Sequence, residues 1–431
     1  MHVEQQQAAR AVHAVLTGTS LRAALAGVDD GSARRGRVLV AELAYGTLRH
    51  WGTLDALVRR LAAPRTAEPL LGTLLGVALY QLDHTRAPAF AVVDRAVDAA
   101  AALARPGAKP WVNALLRRYL RERTELAAAV RDDPVARWSY PRWWIDRVRA
   151  DYPAQWDAIL AAGNARPPLS LRVNPRTGTV AALLEQLAAA GVPAVAAGAQ
   201  GVIVDPPVPV TELPGFDEGA FAVQDLGAQL AAPLLGATDG MRVLDACAAP
   251  GGKTSHILER AAVDLTALDS DAARLARVRE NLARLRLGDR GAEVVAGDAG
   301  APAAWWDGRP YDRILADVPC SASGVARRHP DGKWLRREAD VAAFCREQDR
   351  LLDALWPLVS GGGKLLYATC SVFAAENEAR VAAFAARTPD ALRETLTFPA
   401  GALHIGGQLL PSSEGAVHNQ DGFFYALLRK A

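Results

Sequence analysis

The chain has no closely paired cysteines, no long apolar run and no internal repeat, and each absence narrows what it is. Its four cysteines, Cys247, Cys320, Cys345 and Cys370, are spaced too widely for a CxxC pair, a zinc ribbon or a zinc finger. No metal is therefore expected, and the thiols are left as core residues or reactive groups. A disulfide framework is not expected either, since a core built from 431 residues needs no covalent staple. No uncharged apolar stretch approaches the roughly 18 residues that a membrane helix needs. The start, MHVEQQQAARAV, lacks the basic-then-apolar order of a secretory leader. A soluble cytoplasmic protein, away from membranes, is the expectation. With 50% hydrophobic and 22% charged residues the composition is that of an ordinary globular chain, long enough for two to four domains.

Net charge is also scarce, at +2, but it is unevenly spread. Residues 1–130 hold 17 Lys/Arg against 11 Asp/Glu, and the remainder holds 32 against 36. A basic module joined to a mildly acidic one suggests a polyanionic partner for the first. That module reads as helices alone. Apolar residues recur every three or four positions in Ala8–Leu16, Val38–Leu48, Leu54–Leu61, Leu70–Leu82, Val92–Leu103 and Val112–Leu120, with Gly/Pro/Asp breaks at 27–31, 64–69 and 106–110. An all-α bundle over 1–130 follows. Residues 131–165 carry Trp138, Trp143, Trp144 and Trp156 and read as a helical connector whose indoles pack between domains. In 166–235 a strand (Leu169–Asn174), a helix (Val180–Ala190) and short apolar runs make a small α+β domain. Residues 236–431 alternate strand and helix, which predicts an α/β Rossmann-like domain with a mostly parallel sheet. Its expected strands are Arg242–Ala246, Asp264–Asp269, Ala292–Ala296, Tyr311–Asp317 and Lys364–Thr369, with Phe423–Leu428 as a final antiparallel strand.

Chemistry-bearing residues collect where these strands end. The first runs into VLDACAAPGGKT (Val243–Thr254), in which glycines let backbone approach a ligand and a helix N-terminus offers free N–H groups to a carboxylate. The loop is neither GxGxxG nor a phosphate loop, so a carboxylate-bearing adenosine cofactor suits it better than a nucleotide. Asp269 ends the second strand, where an acid binds ribose hydroxyls, and Asp298 follows the third, where it faces an adenine amino group. The fourth strand ends in DVPCSASGV and the fifth in YATCS, so Asp317, Cys320 and Cys370 emerge side by side, each cysteine followed by serine. Between them GVARRHPDGKWLRR suits a loop that grips phosphates with Arg327, Arg328 and Lys333 while Trp334 stacks on a base. Cys247 reads as packing against the cofactor and Cys345 as helix core.

DACAAPGGKT, DVPCSASGVARRHPDGKW and YATCS together resemble the signatures of the Sun-type RNA (cytosine-5) methyltransferases. LYQLDHTRAP and WVNALLRRYL in the front part resemble the NusB fold, and LRVNPRTGTVAALLEQLAAAGV and AVQDLGAQLAA resemble that family's middle domain and the entry to its catalytic domain. The resemblance implies a NusB-like helical RNA-binding domain, a small α+β domain and a Rossmann-like catalytic domain with a seven-stranded sheet. It implies S-adenosyl-L-methionine as cofactor, held by Cys247, Ala248, Ala249, Pro250, Gly251, Gly252, Lys253, Asp269, Asp298 and Asp317. It makes Cys370 the nucleophile and Cys320 the residue that aids product release. The chemistry needs such a pair: cytosine C5 is a poor nucleophile until a thiolate adds at C6, and afterwards the C5 proton and the thiol must both leave. Asp317 would hydrogen-bond the base, which must be unpaired or flipped out. The implied substrate is a cytosine of 16S ribosomal RNA before subunit assembly, with tRNA or 23S rRNA as the alternative. A DNA cytosine-5 enzyme would carry its nucleophile in Pro319-Cys320 and need no second cysteine. A base-amine enzyme would want a polar-Pro-Pro-aromatic tetrad, and a non-catalytic RNA-binding module would need neither cysteine. Val318 and Gly332 depart from the family pattern without removing a chemical group.

Overall fold

The computed structural model describes all residues but Met1, 28–33, 64–67, 104–105, 289, 400–401 and 416–417. It divides into two compact units: Met1–Asn164 with Ala326–Glu338, and Ala165–Val325 with Ala339–Ala431.

The first unit is helical. It contains α1 (His2–Leu16), α2 (Leu21–Ala26), α3 (Arg34–Arg49), α4 (Trp51–Ala62), α5 (Pro69–His84), α6 (Ala89–Leu103) and α7 (Lys109–Val130). The apolar windows read from the sequence fall inside α1 and α3 to α7. The expected breaks at 27–31 and 64–69 lie for the most part outside the described residues, although Pro69 opens α5 at a position where a missing N–H costs nothing. α5 is buried almost all round, from Leu71 to Gln81, and the apolar stripes of α1, α3, α4, α6 and α7 complete one core with it. Three short helices follow, Pro134–Trp138, Arg142–Asp151 and Trp156–Asn164. The connector's indoles meet one another: Trp138 packs edge-on to Trp156 with ring centroids 5.2 Å apart, and Trp143 and Trp144 lie 5.4 Å apart.

The same unit takes in Ala326–Glu338, the basic loop between Cys320 and Cys370, and this corrects one reading of the sequence. Lys333 is fully buried, and its three N–H bonds go to Arg49 O (2.7 Å), Ser139 O (2.8 Å) and Asn164 Oδ1 (2.8 Å), with the Tyr140 ring 4.3 Å away. Burial pushes its ammonium well below the usual lysine pKa. Trp334 donates its indole N–H to Leu48 O, Arg49 reaches Arg327 O, and Asp331 accepts from the backbone of Leu21. Arg327 is 1% exposed. Lys333 and Arg327 are thus buried in the helical unit and offer no grip on phosphate, and Trp334, half-buried, is tied to α3 through its indole N–H. Arg328 is half-buried. The error has a physical cause, since a loop rich in Arg and Lys looks solvated until its carbonyl partners are known.

The second unit opens with a four-stranded antiparallel sheet. Its strands are β1 (Leu169–Val173), β2 (Ala194–Ala197), β3 (Gly201–Val204) and β4 (Phe221–Val223), in the order β2-β3-β1-β4. The helix Val180–Ala189 sets Leu183 and Leu187 against Leu171, Val173, Val202 and Phe221. β2, with the sequence AVAA, carries little strand signal of its own and is held by pairing with β3.

The larger sheet contains β5 (Arg242–Asp245), β6 (Asp264–Asp269), β7 (Ala292–Ala296), β8 (Tyr311–Asp317), β9 (Val359–Thr369), β10 (Ala391–Glu394), β11 (His404–Ile405), β12 (Gln408–Leu409) and β13 (Phe423–Lys430). β7-β6-β5-β8-β9 are parallel and β13 is antiparallel to β9. The sheet has nine strands where seven were expected. β10 and β12 share the position beyond β13, and β11 extends that edge as a two-residue hairpin arm. Segments this short are strands only because β13 supplies the pairing. β9 also starts earlier than read, because its SGGG segment has poor strand propensity and sits beside an irregularity in the β8 register. Successive residues such as Leu365/Leu366 and Tyr367/Ala368 enter separate cores on the two faces, which explains the unbroken apolar runs of the parallel strands. Strand order reverses between β5 and β8, and the crevice there is where such sheets bind ligands.

The small sheet is joined to the helix Gly252–Arg260, which follows β5, by a buried ion pair. Arg172 of β1 and Glu259 are both fully buried and paired at 2.6 and 2.9 Å. Arg172 also donates to Gln224 Oε1, Ser255 Oγ and Gly252 O. Arg172→Ala leaves a carboxylate buried without its partner and is expected to cost about 3–5 kcal/mol in chemical denaturation. Lys333→Ala strands three buried acceptors and is expected to cost about 3 kcal/mol by the same measurement. A loss below about 1 kcal/mol in either variant would contradict the network described.

Candidate active site

The glycine loop is fixed by its neighbours before any ligand is considered. Gly251 has φ +96°, and a Cβ there would meet Val278 Cα at 3.0 Å. A Cβ on Gly252 would meet nothing closer than 3.9 Å, so backbone is open to a ligand at the start of the helix Gly252–Arg260. Asp269 accepts from Ala249 N and from Asp271 N, both at 3.0 Å, and Arg274 donates to Ala249 O at 2.7 Å. Asn281 holds Pro250 O, and Ala248 N pairs with Leu268 O. Asp245, at the tip of β5, takes the Thr254 hydroxyl at 2.7 Å on one oxygen, and its other oxygen is buried without a hydrogen bond. Burial pushes this carboxyl up to about 7, against the pull of Thr254.

A cavity of about 250 Å³ opens at this edge. Its wall includes Cys247, Ala249, Asp269, Asp298, Asp317, Cys320 and Cys370. Residues from five strand ends are thereby brought together. Of the other loop positions read from sequence, Ala248, Pro250, Gly251 and Gly252 are not part of this wall, and Lys253 reaches Asp317 at 2.6 Å. Burial alone would depress the Lys253 ammonium, but the charge and hydrogen bond of Asp317, with Cys370 adding to them, hold it above the ordinary lysine value. Asp298 is the most exposed of the acids. Arg350 grips both of its oxygens at 2.9 Å, which, with the Gly300 N–H, holds its carboxyl below the usual range.

The two thiols face each other, with Cys320 Sγ 3.5 Å from Cys370 Sγ. Hydrogen bonding to Cys370 and burial push the Cys320 thiol well above the usual cysteine pKa, and negative charge on Cys370 and Glu376 adds to this. Burial pushes Cys247 up as well. Cys345 lies in the helix Glu338–Leu355, buried, with its thiol on Ala375 O.

Two residues that sequence reading passed over stand behind the thiols. Glu376 is fully buried and receives Ser321 N (2.7 Å), Ser321 Oγ (2.5 Å) and Ser371 Oγ (2.6 Å). Asn377 donates to Ser371 O at 2.9 Å and accepts from Thr369 Oγ1 at 2.6 Å. The repeated Cys-Ser dipeptide was the available signal. Arg172 was missed too, because nothing in LSLRVN marks its arginine as buried.

The chain matches three family models: NusB over residues 2–121, the RsmF/B-like ferredoxin-like domain over 140–211, and 16S rRNA methyltransferase RsmB/F over 232–429. It is 47% identical to ribosomal RNA small subunit methyltransferase B of Pseudomonas putida, over 98% of this chain and 97% of that one. It is 42% identical to the protein of the same name from Vibrio cholerae, over 100% and 98%. The crystal structure of a protein called PH0851 superposes with a TM-score of 0.78 at 25% identity, covering 100% of this chain and 99% of that one. With a helical NusB domain, a ferredoxin-like domain and a methyltransferase domain in one order along its length, the chain belongs to the ribosomal RNA small subunit methyltransferase B family.

Proposed function

We propose that this protein transfers a methyl group from S-adenosyl-L-methionine to the C5 carbon of a cytosine in 16S ribosomal RNA, through a covalent bond between Cys370 and C6 of the base. The observation that carries this reading is the pair of thiols 3.5 Å apart on the wall of the cavity that also holds Asp269, Asp298 and Asp317. Relatives named for ribosomal RNA small subunit methylation support the substrate class.

The residues fit the cofactor. The open Gly252 backbone and the helix N-terminus behind it suit a carboxylate. Asp269 suits a ribose and Asp298 an adenine amino group. When bound, the cofactor supplies an electrophilic methyl on a sulfonium. The chain supplies the rest. Cys370 Sγ, as thiolate, forms a bond to C6 and turns C5 into an enamine-like carbon that takes the methyl group. Asp317, set by Lys253, hydrogen-bonds the N3/N4 edge and stabilises charge there. The C5 proton then leaves to a base, the C6–S bond breaks, and Cys370 departs as thiolate. Cys320 aids this release from its position beside Cys370. A DNA-type scheme with Cys320 as nucleophile gives Cys370 no task.

The helical unit is assigned to RNA binding, carried by its excess of basic residues. Arg117 and Arg121, exposed on α7, are its candidate contacts, in place of Arg327 and Lys333, which are buried. Among the described residues no helix is long and apolar enough to cross a membrane.

Cys370→Ala is expected to abolish methyl transfer and the adduct with 5-fluorocytosine RNA, whereas Cys320→Ala is expected to accumulate a covalent protein–RNA complex on gels. The opposite pattern would exchange the two roles. Reversing Arg117 and Arg121 to Glu is expected to weaken RNA binding and to flatten the plot of log K against log salt by roughly one unit of slope per residue. An unchanged slope would remove α7 from the RNA surface.

A further inference from the structure

Glu376 has no part in the scheme above, yet it is the most completely enclosed carboxylate near the thiols. It ends the short 3-10 turn Ala374–Glu376 that follows β9, and its side chain has no solvent exposure. An acid withdrawn from water is costly unless its lone pairs are occupied. Here they are occupied without any cation: among the described residues Glu376 makes no ion pair, and every partner is a neutral donor. Oε1 accepts from Ser321 N at 2.7 Å and from Gln348 Nε2 at 3.4 Å. Oε2 accepts from Ser321 Oγ at 2.5 Å and from Ser371 Oγ at 2.6 Å. The main chain of Glu376 is tied as well, its carbonyl accepting from the Tyr367 hydroxyl at 2.6 Å.

The donors are informative by position. Ser321 follows Cys320 and Ser371 follows Cys370, so one carboxylate meets the residue after each thiol. A serine hydroxyl has one proton to give. With those of Ser321 and Ser371 directed at Glu376, the third hydroxyl, Ser323, donates toward Ser371 at 2.9 Å and accepts from Val372 N at 2.9 Å. Gly324 N closes the same turn onto Cys370 O at 2.8 Å. Gln348 bridges Glu376 to Pro319 O, the carbonyl before Cys320. Two turns that leave different strands are in this way drawn onto one acid, and Glu376 itself is not on the cavity wall.

We propose that Glu376 is a positioning residue for the two-thiol centre, fixing the separation of the Cys320 and Cys370 sulfurs through the serine that follows each. Its role rests on the two-cysteine reading of the site. A second consequence follows from its charge. Hydrogen bonding to Cys370 and burial already favour the thiol at Cys320, and the carboxylate, with no cation to offset it, adds to them while Cys370 attacks. The chain would then separate the two roles by environment as well as by place.

The test uses the full-length protein and three variants, Glu376→Gln, Ser371→Ala and Glu376→Ala. Two readouts are taken: methyl-transfer kinetics on unmodified ribosomal RNA, and alkylation of Cys320 and Cys370 by iodoacetamide in brief pulses from about pH 7 to about pH 11.5, followed by peptide mass spectrometry. Glu376→Gln keeps the size of the side chain and removes its charge. It is expected to lower kcat by about tenfold or more while leaving KM for the cofactor within about twofold, and to move the alkylation midpoint of Cys320 to lower pH. Ser371→Ala is expected to lower kcat without moving that midpoint. Wild-type kcat in Glu376→Gln would overturn the proposal. So would a fall in kcat matched by an equal rise in cofactor KM with the Cys320 profile unchanged, which is the signature of a general scaffold residue. If Glu376→Ala fails to fold, the other two variants still decide. The alkylation arm needs no RNA. A wild-type protein that forms no adduct with 5-fluorocytosine RNA would therefore remove the two-cysteine reading, while the response of Cys320 to Glu376→Gln would still report on the carboxylate.

Discussion

In the parallel pairing of β8 with β9, Asp317 lies opposite Ala368, and Cys320 and Cys370 follow within three and two residues. This register brings together two cysteines that are fifty positions apart in the chain. Side chains alternate between the faces of a sheet, so a slip of one residue would carry Thr369 and its neighbours to the opposite face and separate the sulfurs. The register is defended from both sides. β13 pairs along β9 from Thr369 to Lys364, and β5 pairs along β8 from Arg313 to Leu315. The apolar layers on each face, with Leu366 and Ala368 on one and Leu365 and Tyr367 on the other, admit only one phase of the pleat.

Around that register the chain places polar groups deep inside and satisfies them one by one. Arg172 meets Glu259, Gln224, Ser255 and a carbonyl of the glycine loop. Glu376 meets two serines and a glutamine. Lys333, in the helical unit, meets three oxygens and a tyrosine face. Each network is destabilising if half made, since an unpaired polar group in a dry interior loses the full value of its hydration. Each is therefore specific: only the intended approach of several segments satisfies all of its members. The small antiparallel sheet contributes to the catalytic unit by this route, since the arginine of β1 holds the helix that begins at Gly252.

Asp245 and Cys320 show the same enclosure acting on titration. Burial favours the uncharged form of Asp245, and at Cys320 the hydrogen bond to Cys370 together with burial favours the thiol. Lys253 behaves in the opposite sense, because Asp317 lies 2.6 Å away and holds its ammonium above the ordinary lysine value. Groups whose environments push their protonation in opposite directions thus stand near one strand edge, an arrangement that suits the proposed two-thiol reaction.

The sequence alone determined the periodicity of the helical unit, the five parallel strands and the three acids and two cysteines at their ends. Those are local patterns, written in spacing and in the residue types that strand ends and glycine loops demand. Tertiary structure decided the rest. β10, β11 and β12 are strands because β13 offers them an edge, and β2 because β3 does. Lys333 is internal and Trp334 half-buried because carbonyls of Arg49, Ser139 and Leu48, far away in the chain, accept their protons. Glu376 is a partner of both cysteine turns for a similar reason. A hydrogen bond is satisfied by whichever donor arrives in space, and spacing along the chain carries no record of which one that will be.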